Sequence, residues 1–166
     1  MARTIGQSFT LCDQAMRNAL DEIQRNFVDY CLTSAGLAIG SGSKKKVLIA
    51  NTVYASIGGA LIKKTTAEIT LTSANNVANA KFNVIVLSMD AAGTVTPTNG
   101  TEAATIGAVV FPAVPADEVV LGFVIVNPTG TGGFVGGTTD LDDATVAPNA
   151  VYINTIAPFN MNILAI

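Results

Sequence analysis

Hydrophobic positions from residue 47 onward follow the two-residue period of β-strands. Ala67, Ile69 and Leu71 alternate with polar residues, as burial of one strand face requires. Similar β-branched runs recur about every ten residues, and Gly, Pro or Asn separates them. The predicted strands are 47–54, 67–71, 82–90, 104–111, 119–126, 134–135 and 151–156, with turns at 58–59, 91–93 and 97–100 and an apolar C-terminus at 163–166. This rhythm predicts a mainly β fold, an antiparallel β-sandwich or jelly roll.

Residues 111–142 contain the longest apolar run of this β pattern. Pro112 and Pro115 precede an eight-residue apolar run at 119–126, and a glycine cluster at 130–137 follows it. Prolines before an apolar run and glycines after it predict one long buried strand between two turns. We expect the glycine cluster to form a loop at one end of the sandwich.

Residues 10–34 have a helical period instead. Met16, Leu20, Ile23, Phe27 and Tyr30 recur at steps of four, three, four and three, which predicts an amphipathic α-helix. Its apolar seam packs either on the chain's own domain or against symmetry-related copies, and the pattern leaves both open. The Gly- and Ser-rich residues 36–43 predict a flexible connection. The expected organisation is therefore a docking or oligomerisation segment at 1–43 and a β-sandwich domain at 44–166.

Charge is scarce and unevenly distributed. Charged residues make up 13% of the chain, against about 25% in ordinary globular proteins, while 49% of residues are hydrophobic. Such a surface favours cover by neighbouring subunits. Residues 1–64 carry eight basic and four acidic side chains, and residues 65–166 carry one and eight. This polarity predicts that the N-terminal part docks on an acidic partner, or that two solvated faces simply differ in sign.

Lys44, Lys45 and Lys46 form the one dense basic run. No Arg or aromatic residue interleaves with them, so we expect a docking or solvated loop rather than contact with nucleic acid. Together with Met16, Leu20, Ile23, Phe27 and Tyr30, the three lysines are the predicted interface residues.

The two cysteines and the hydropathy pattern bear on the environment of the chain. Cys12 and Cys31 fall nineteen positions apart in the predicted helix, about 28 Å, which excludes a disulfide between them and predicts two buried thiols. No apolar run reaches the roughly 18 residues of a membrane span, and no signal-peptide core follows residues 1–4. We expect a chain made in the cytoplasm, without membrane contact.

Residues suited to catalysis are few. The chain has no histidine, which argues against Ser-His and Cys-His nucleophile pairs and most zinc sites. The glycines at 132–138 do not complete a P-loop, because Thr138 stands where the motif needs Lys. Asp140, Asp142 and Asp143 could attract a hard cation, but they lack the EF-hand spacing, so a capped turn is the alternative. The sequence therefore predicts no enzyme, no cofactor and no metal.

Residues 112–142 resemble a module that recurs in structural proteins of tailed bacteriophages and prophages. The likeness lies in Pro-Ala-Val-Pro-Ala, then Val-Val-Leu-Gly-Phe-Val-Ile-Val, then Gly-Gly-Phe-Val-Gly-Gly-Thr-Thr-Asp-Leu-Asp. Members of that family often have Pro where Gly136 stands here, which predicts a more flexible loop. The module carries no catalytic residues.

The resemblance implies a virion component, most like a capsid decoration (cement) protein. Such a protein would form a homotrimer, bind the major capsid protein on the capsid exterior and stabilise the shell. Alternatives are a tail, baseplate or head-fibre component and, from a different class, a carbohydrate-binding module for host attachment. The absence of Trp and the presence of only three Tyr speak against the last of these.

Overall fold

The computed structural model describes residues 29–147 and 150–156, and in these ranges the chain is mainly β. Twelve strands and one short 3-10 turn, Ile106–Ala108, make up the regular structure of these two ranges. The strands are β1 Tyr30–Cys31, β2 Leu37–Ile39, β3 Lys46–Ile49, β4 Val53–Ile57, β5 Ala60–Lys64, β6 Ala67–Thr70, β7 Asn76–Val77, β8 Asn83–Asp90, β9 Val95–Asn99, β10 Glu118–Val126, β11 Phe134–Val135 and β12 Val151–Asn154.

All pairs among the described strands are antiparallel, and these strands form four sheets. The largest has the order β12-β10-β8-β9, and the others have the orders β1-β4-β5, β2-β3-β6 and β11-β7. Gly58 and Gly59 join β4 to β5 in a two-residue hairpin, with φ of 58° and 78°. Positive φ at both central residues is what a type I′ turn needs, and glycine adopts it without steric cost.

Strands β8 and β10 lie at the centre of the large sheet, and β10 carries a bulge. Val119 lies opposite Met89, but after the register shift between Val120 and Gly122 it is Val124 that lies opposite Ile85. The extra residue lets Leu121 and Val124, three positions apart, pack on the same side of the sheet. Gly122 has φ of 154°, and a Cβ there would lie 2.3 Å from the carbonyl oxygen of Ile153. The bulge therefore requires glycine at this position.

The alternation along β8 and β10 supplies two separate hydrophobic clusters. The major cluster takes one side of this strand pair, including Ile85, Leu87, Leu121 and Val124, together with residues from the other three sheets. The minor cluster lies on the opposite side and consists of Val84, Val86, Val109, Val120 and Phe123. Residues 101–114 cross over this second side.

The N-terminal predictions are wrong where the structure describes them. Tyr30 and Cys31 form strand β1 rather than the end of a helix, because they pair with Ser56 and Ala55 of β4. Residues 37–39, predicted as part of a flexible connection, form β2 and pair with β3. Both strands therefore contribute to the core that residues after 43 build. The rest of the predicted helix, residues 10–28, lies outside the described residues.

Cys31 is correspondingly not on a helix, so the helical spacing from Cys12 gives no argument about their distance. The Cys31 thiol is free and buried, as predicted, and its Sγ donates to the carbonyl of Thr33 at 3.0 Å. Burial raises the pKa of the Cys31 thiol. The protonated form is therefore favoured, and it is a poor nucleophile. Cys12 lies outside the described residues.

Predictions in the β region are confirmed for the strands near 67–71, 82–90, 119–126, 134–135 and 151–156 and for the turns at 58–59 and 91–93. The predicted strand 47–54 is two strands, β3 and β4, because a turn at Asn51 sends the chain to another sheet. The backbone N–H of Asn51 donates to the carbonyl of Ala35 at 3.1 Å. Strand β5 was not predicted.

Two further predictions are wrong for reasons of tertiary structure. The predicted turn at 97–100 is mostly strand β9, which tolerates Pro97 because it is the edge of the large sheet. The predicted strand 104–111 is instead the 3-10 turn and extended chain, held by two isolated bridges, Phe82 with Ala103 and Thr101 with Val110. Only Val109 of that segment is buried, so it lacks the alternation of a strand.

Candidate assembly surfaces

The lysine run lies beside acidic groups of its own chain. The Lys44 Nζ lies 2.5 Å from Asp142, and the Lys46 Nζ lies 3.5 Å from Glu68. Asp142 raises the pKa of Lys44 by a hydrogen bond and by its charge. Lys45 makes no ion pair with the described residues and is exposed. Two of the three charges are thus partly compensated, and an exposed ion pair of this kind contributes little to stability.

Glu68 organises the loop between β2 and β3. Its carboxylate accepts a 2.5 Å hydrogen bond from the backbone N–H of Gly42 and a 3.5 Å bond from the hydroxyl of Ser41. The Gly42 hydrogen bond is the largest cause of the lowered pKa of Glu68, and the charge of Lys46 adds to it. The predicted docking loop is therefore tied to β6 by a carboxylate.

The acidic turn at 140–143 is held by hydrogen bonds within the chain. The Asp143 carboxylate accepts from the N–H and hydroxyl of Thr145 and from the N–H of Val146, and these bonds lower its pKa. Asp142 is engaged by Lys44. This geometry fits the capped turn that the sequence offered as an alternative to a cation site. In the part of the chain that the structure describes, no three His, Cys, Asp or Glu side chains are grouped to hold a metal ion.

The glycine cluster is anchored rather than free. Phe134 is fully buried in the major cluster, and Phe134 and Val135 pair with β7. The N–H of Gly136 donates to the carbonyl of Asn75 at 3.0 Å. A proline at this position could not make that bond. We expected Gly136, in place of the proline of the resembling module, to make the loop more flexible. Instead, its N–H makes a hydrogen bond that holds the loop in place.

Residues of the paired strands β7 and β11 line a shallow groove of about 390 Å³. Glu102 is the only ionisable residue among those that line it, and its carboxylate accepts the N–H of Ala78 at 2.9 Å. This groove therefore presents one engaged carboxylate and little else that could perform chemistry.

One sheet surface is apolar and exposed, and we call it the tyrosine face: Tyr30, Leu32, Tyr54, Leu61 and Lys63. These side chains share one side of the β1-β4-β5 sheet, opposite the buried Cys31 and Ala55. Leu61 is 66% exposed. Of the predicted interface residues, Tyr30 lies on this face, whereas Met16, Leu20, Ile23 and Phe27 lie outside the described residues.

A second apolar surface, the edge patch, consists of Ile125, Val151 and Ile153. Val151 lies opposite Ile125 across β10 and β12, and both point to the side of the sheet that carries the minor cluster. Val151 is 47% exposed and Ile153 is 37% exposed. Among the described strands, β12 pairs only with β10, so its other backbone edge has no strand partner. Edge strands with exposed apolar side chains are prone to association.

Sequence reasoning missed Leu61, Tyr54 and the edge patch as surface features. The Gly58-Gly59 pair was a usable signal, because a glycine pair between apolar runs predicts a two-residue hairpin. Such a hairpin places Leu61 opposite Ser56 and hence on the side away from Ala55. The exposure of Val151 and Ile153 had no comparable local signal.

Comparisons of this chain with protein-family models, with curated proteins and with solved structures find no match. Within the described ranges, 29–147 and 150–156, no helix is long and apolar enough to cross a membrane.

Proposed function

We propose that this chain is a virion structural protein of a tailed bacteriophage or prophage that decorates the capsid exterior and stabilises the shell. It would act without catalysis, as a homotrimer bound to the major capsid protein. The resemblance of residues 112–142 to a module of phage structural proteins motivates this assignment. The observation that carries it is the edge patch, which offers an apolar, strand-edge surface for permanent assembly.

The proposed contact runs along β12. Exposed Val151 and Ile153 supply apolar area, and the edge of β12 that has no partner among the described strands supplies hydrogen-bonding groups. A subunit contact of standard size buries about 1,600 Å² in total. Because the edge patch has only a few side chains, surrounding surface of the chain would complete the interface.

The sandwich architecture is part of the same proposal. The β2-β3-β6 and β1-β4-β5 sheets contribute Val47, Ile49, Val53 and Ala55 to the major cluster, which also contains one side of β8 and β10. Sheets that share a core in this way are consistent with a sandwich. A sandwich would leave β12 at a rim, where a neighbouring subunit can reach it.

The test uses particles assembled with and without this chain. Ile153→Asp places a charge in the edge patch at a residue that is already 37% exposed, so the fold should persist while particle occupancy falls. Val110→Asp is the matched control, since Val110 is 47% exposed and lies outside the patch. Circular dichroism verifies folding, and quantitative mass spectrometry of purified particles gives occupancy.

The outcomes separate the candidates. Hundreds of copies per particle would agree with decoration, whereas a few copies would indicate a tail, baseplate or head-fibre part. Full occupancy by the Ile153→Asp variant would remove the edge patch as the contact. Specific binding on a glycan array without particle binding would favour the host-attachment alternative.

A further inference from the structure

The tyrosine face is arranged in two short rows across three strands. Tyr30 lies opposite Ser56, which lies opposite Leu61, and in the next row the N–H of Leu32 donates to the carbonyl of Tyr54 at 2.8 Å. Lys63 pairs with Tyr54 at the β5 edge. The two rows thus contain six side chains, of which only Ser56 and Lys63 are not large and apolar. All six lie on the side of the sheet that faces away from the major cluster. A contiguous exposed apolar face of this kind indicates a surface that another segment or another protein contacts.

The chain joins this face at a defined point. The carboxylate of Asp29 accepts a 2.6 Å hydrogen bond from the N–H of Gly58, at the tip of the β4–β5 hairpin. The residues directly before Asp29 therefore start at one end of the tyrosine face. Twenty-eight residues precede Asp29 in the sequence.

The preceding sequence is apolar like the face and is long enough to cover it. Met16, Leu20, Ile23 and Phe27 have the spacing of one helical stripe. In a helix, this stripe would be about 17 Å long at 1.5 Å per residue. The two rows of the face lie two residues apart along each strand, or about 7 Å, and its three strands are about 10 Å wide. One stripe is thus long enough to cover the whole face.

We propose that residues 16–27 cover the tyrosine face of their own chain, with Met16, Leu20, Ile23 and Phe27 against Tyr30, Leu32, Tyr54 and Leu61. Only Val28 and Asp29 separate Phe27 from β1, so the local concentration of the segment at its own face far exceeds that of any second copy. The polar residues of the segment, among them Arg17 and Arg25, then point away from the sheet. This inference does not depend on the proposed virion role.

A photo-crosslinking experiment on the full chain tests the proposal. p-Benzoylphenylalanine replaces Leu61, and the protein is prepared as an equal mixture of normal and ¹⁵N-labelled chains before irradiation. Trypsin cleaves after Arg17 and Arg25, so residues 18–25 form a peptide that contains no part of β1. We expect adducts between the probe and this peptide, with both halves light or both heavy.

Other outcomes would overturn the proposal. Mixed light–heavy adducts would assign the cover to a second copy, and no adduct in residues 18–25 would remove this segment as the cover. The same probe at Ile106, which is 47% exposed on another element, is the control and should not label the peptide. A probe at Tyr54 provides a second reading from the same face. The double change Leu20→Asp and Ile23→Asp should abolish the adduct from either position.

Discussion

The two sides of the β8–β10 pair are both apolar, yet they are covered in different ways. On one side, Ile85, Leu87 and Val124 pack in the major cluster with strands from three other sheets. On the other side, Val86 and Phe123 lie under residues 101–114, which one isolated bridge, Ala103 with Phe82, attaches to the body, while a second bridge, Thr101 with Val110, lies within the segment itself. One side is thus covered by hydrogen-bonded ladders and the other by a single crossing segment. We expect cooperative loss of the fold from the first side and local loosening from the second.

Val124→Asp should have the largest effect. Val124 is fully buried in the major cluster, and a carboxylate there would have no partner. Losing the apolar contact and burying an unpaired charge together cost at least about 4 kcal/mol, a large part of the ~5–15 kcal/mol that stabilises a typical domain. Far-ultraviolet circular dichroism should show an unfolded or aggregated chain. Ile125 is the next residue, is half-buried and lies on the side of the minor cluster, so the Ile125→Asp variant should remain folded. An equal loss of folded structure in both variants would contradict the difference between the two sides.

Gly122→Ala tests the bulge that assigns β10 residues to the two sides. An added Cβ would meet the carbonyl oxygen of Ile153 at 2.3 Å and the Leu37 side chain at 2.6 Å, at a φ that disfavours alanine. We expect a loss of about 2–3 kcal/mol in the free energy of unfolding, measured by urea denaturation. Gly132→Ala is the control, because nothing lies within 4 Å of its added Cβ. A near-neutral Gly122→Ala would mean that the bulge relaxes at little cost.

The same contrast explains which parts of the fold could be predicted from the sequence. Strands β8 and β10 are long and apolar on both sides, so their continuous apolar sequence is enough to predict them as strands. Gly122 within this run is a local signal of a bulge or of a close backbone approach, but the groups that approach it, from Ile153 and Leu37, belong to distant parts of the chain. Residues 104–111 contain enough Val and Ile to predict a strand, but only Val109 is buried. Which of these residues is buried depends on their neighbours in the fold and not on the local sequence.

The N-terminal part shows a different limit. Phe27 and Tyr30 continue a helical spacing, whereas the fold places Tyr30 in β1 because β4 supplies a hydrogen-bonding partner from more than twenty residues away. Two-residue strands carry too little pattern to be recognised alone. Of the candidate surfaces, Tyr30 and the lysine run were predicted, but the ion pairs of Lys44 and Lys46 depend on Asp142 and Glu68, which are distant in sequence.

Phe111→Ala should loosen the minor side without unfolding the chain. The Phe111 ring meets Phe123 edge-on, with 5.0 Å between centroids and 87° between planes. Because Phe111 is only half-buried, we expect a cost of about 1–2 kcal/mol. Hydrogen exchange should accelerate at Ala103 and Val110, which make the isolated bridges, while the Ile85 amide in β8 stays protected. Acceleration across the whole β8–β10 ladder would show that the two sides unfold together.

Tyr152→Phe should have the smallest effect at neutral pH and a distinctive pH dependence. Tyr152 packs against the major cluster from β12, and its buried hydroxyl has no hydrogen-bond partner in the part of the chain that the structure describes. Removing that oxygen should leave stability at pH 7 unchanged or slightly higher. Burial, with a contribution from the charge of Asp142, raises the pKa of Tyr152 from 10.0 to about 12.

The raised pKa fixes the sign of the alkaline response. Above pH 10 the unfolded chain releases the Tyr152 proton while the folded chain keeps it, so the wild type loses stability as the pH rises from 10 towards 12. Tyr152→Phe lacks this loss, and its advantage over the wild type in urea midpoint should grow between pH 9 and pH 11. Tyr54→Phe, which lies outside the major cluster, controls for the general effect of removing a phenol. A constant difference between wild type and Tyr152→Phe across this range would place the hydroxyl in contact with solvent or a partner. In that case the packing of the major cluster would not include the end of the Tyr152 side chain.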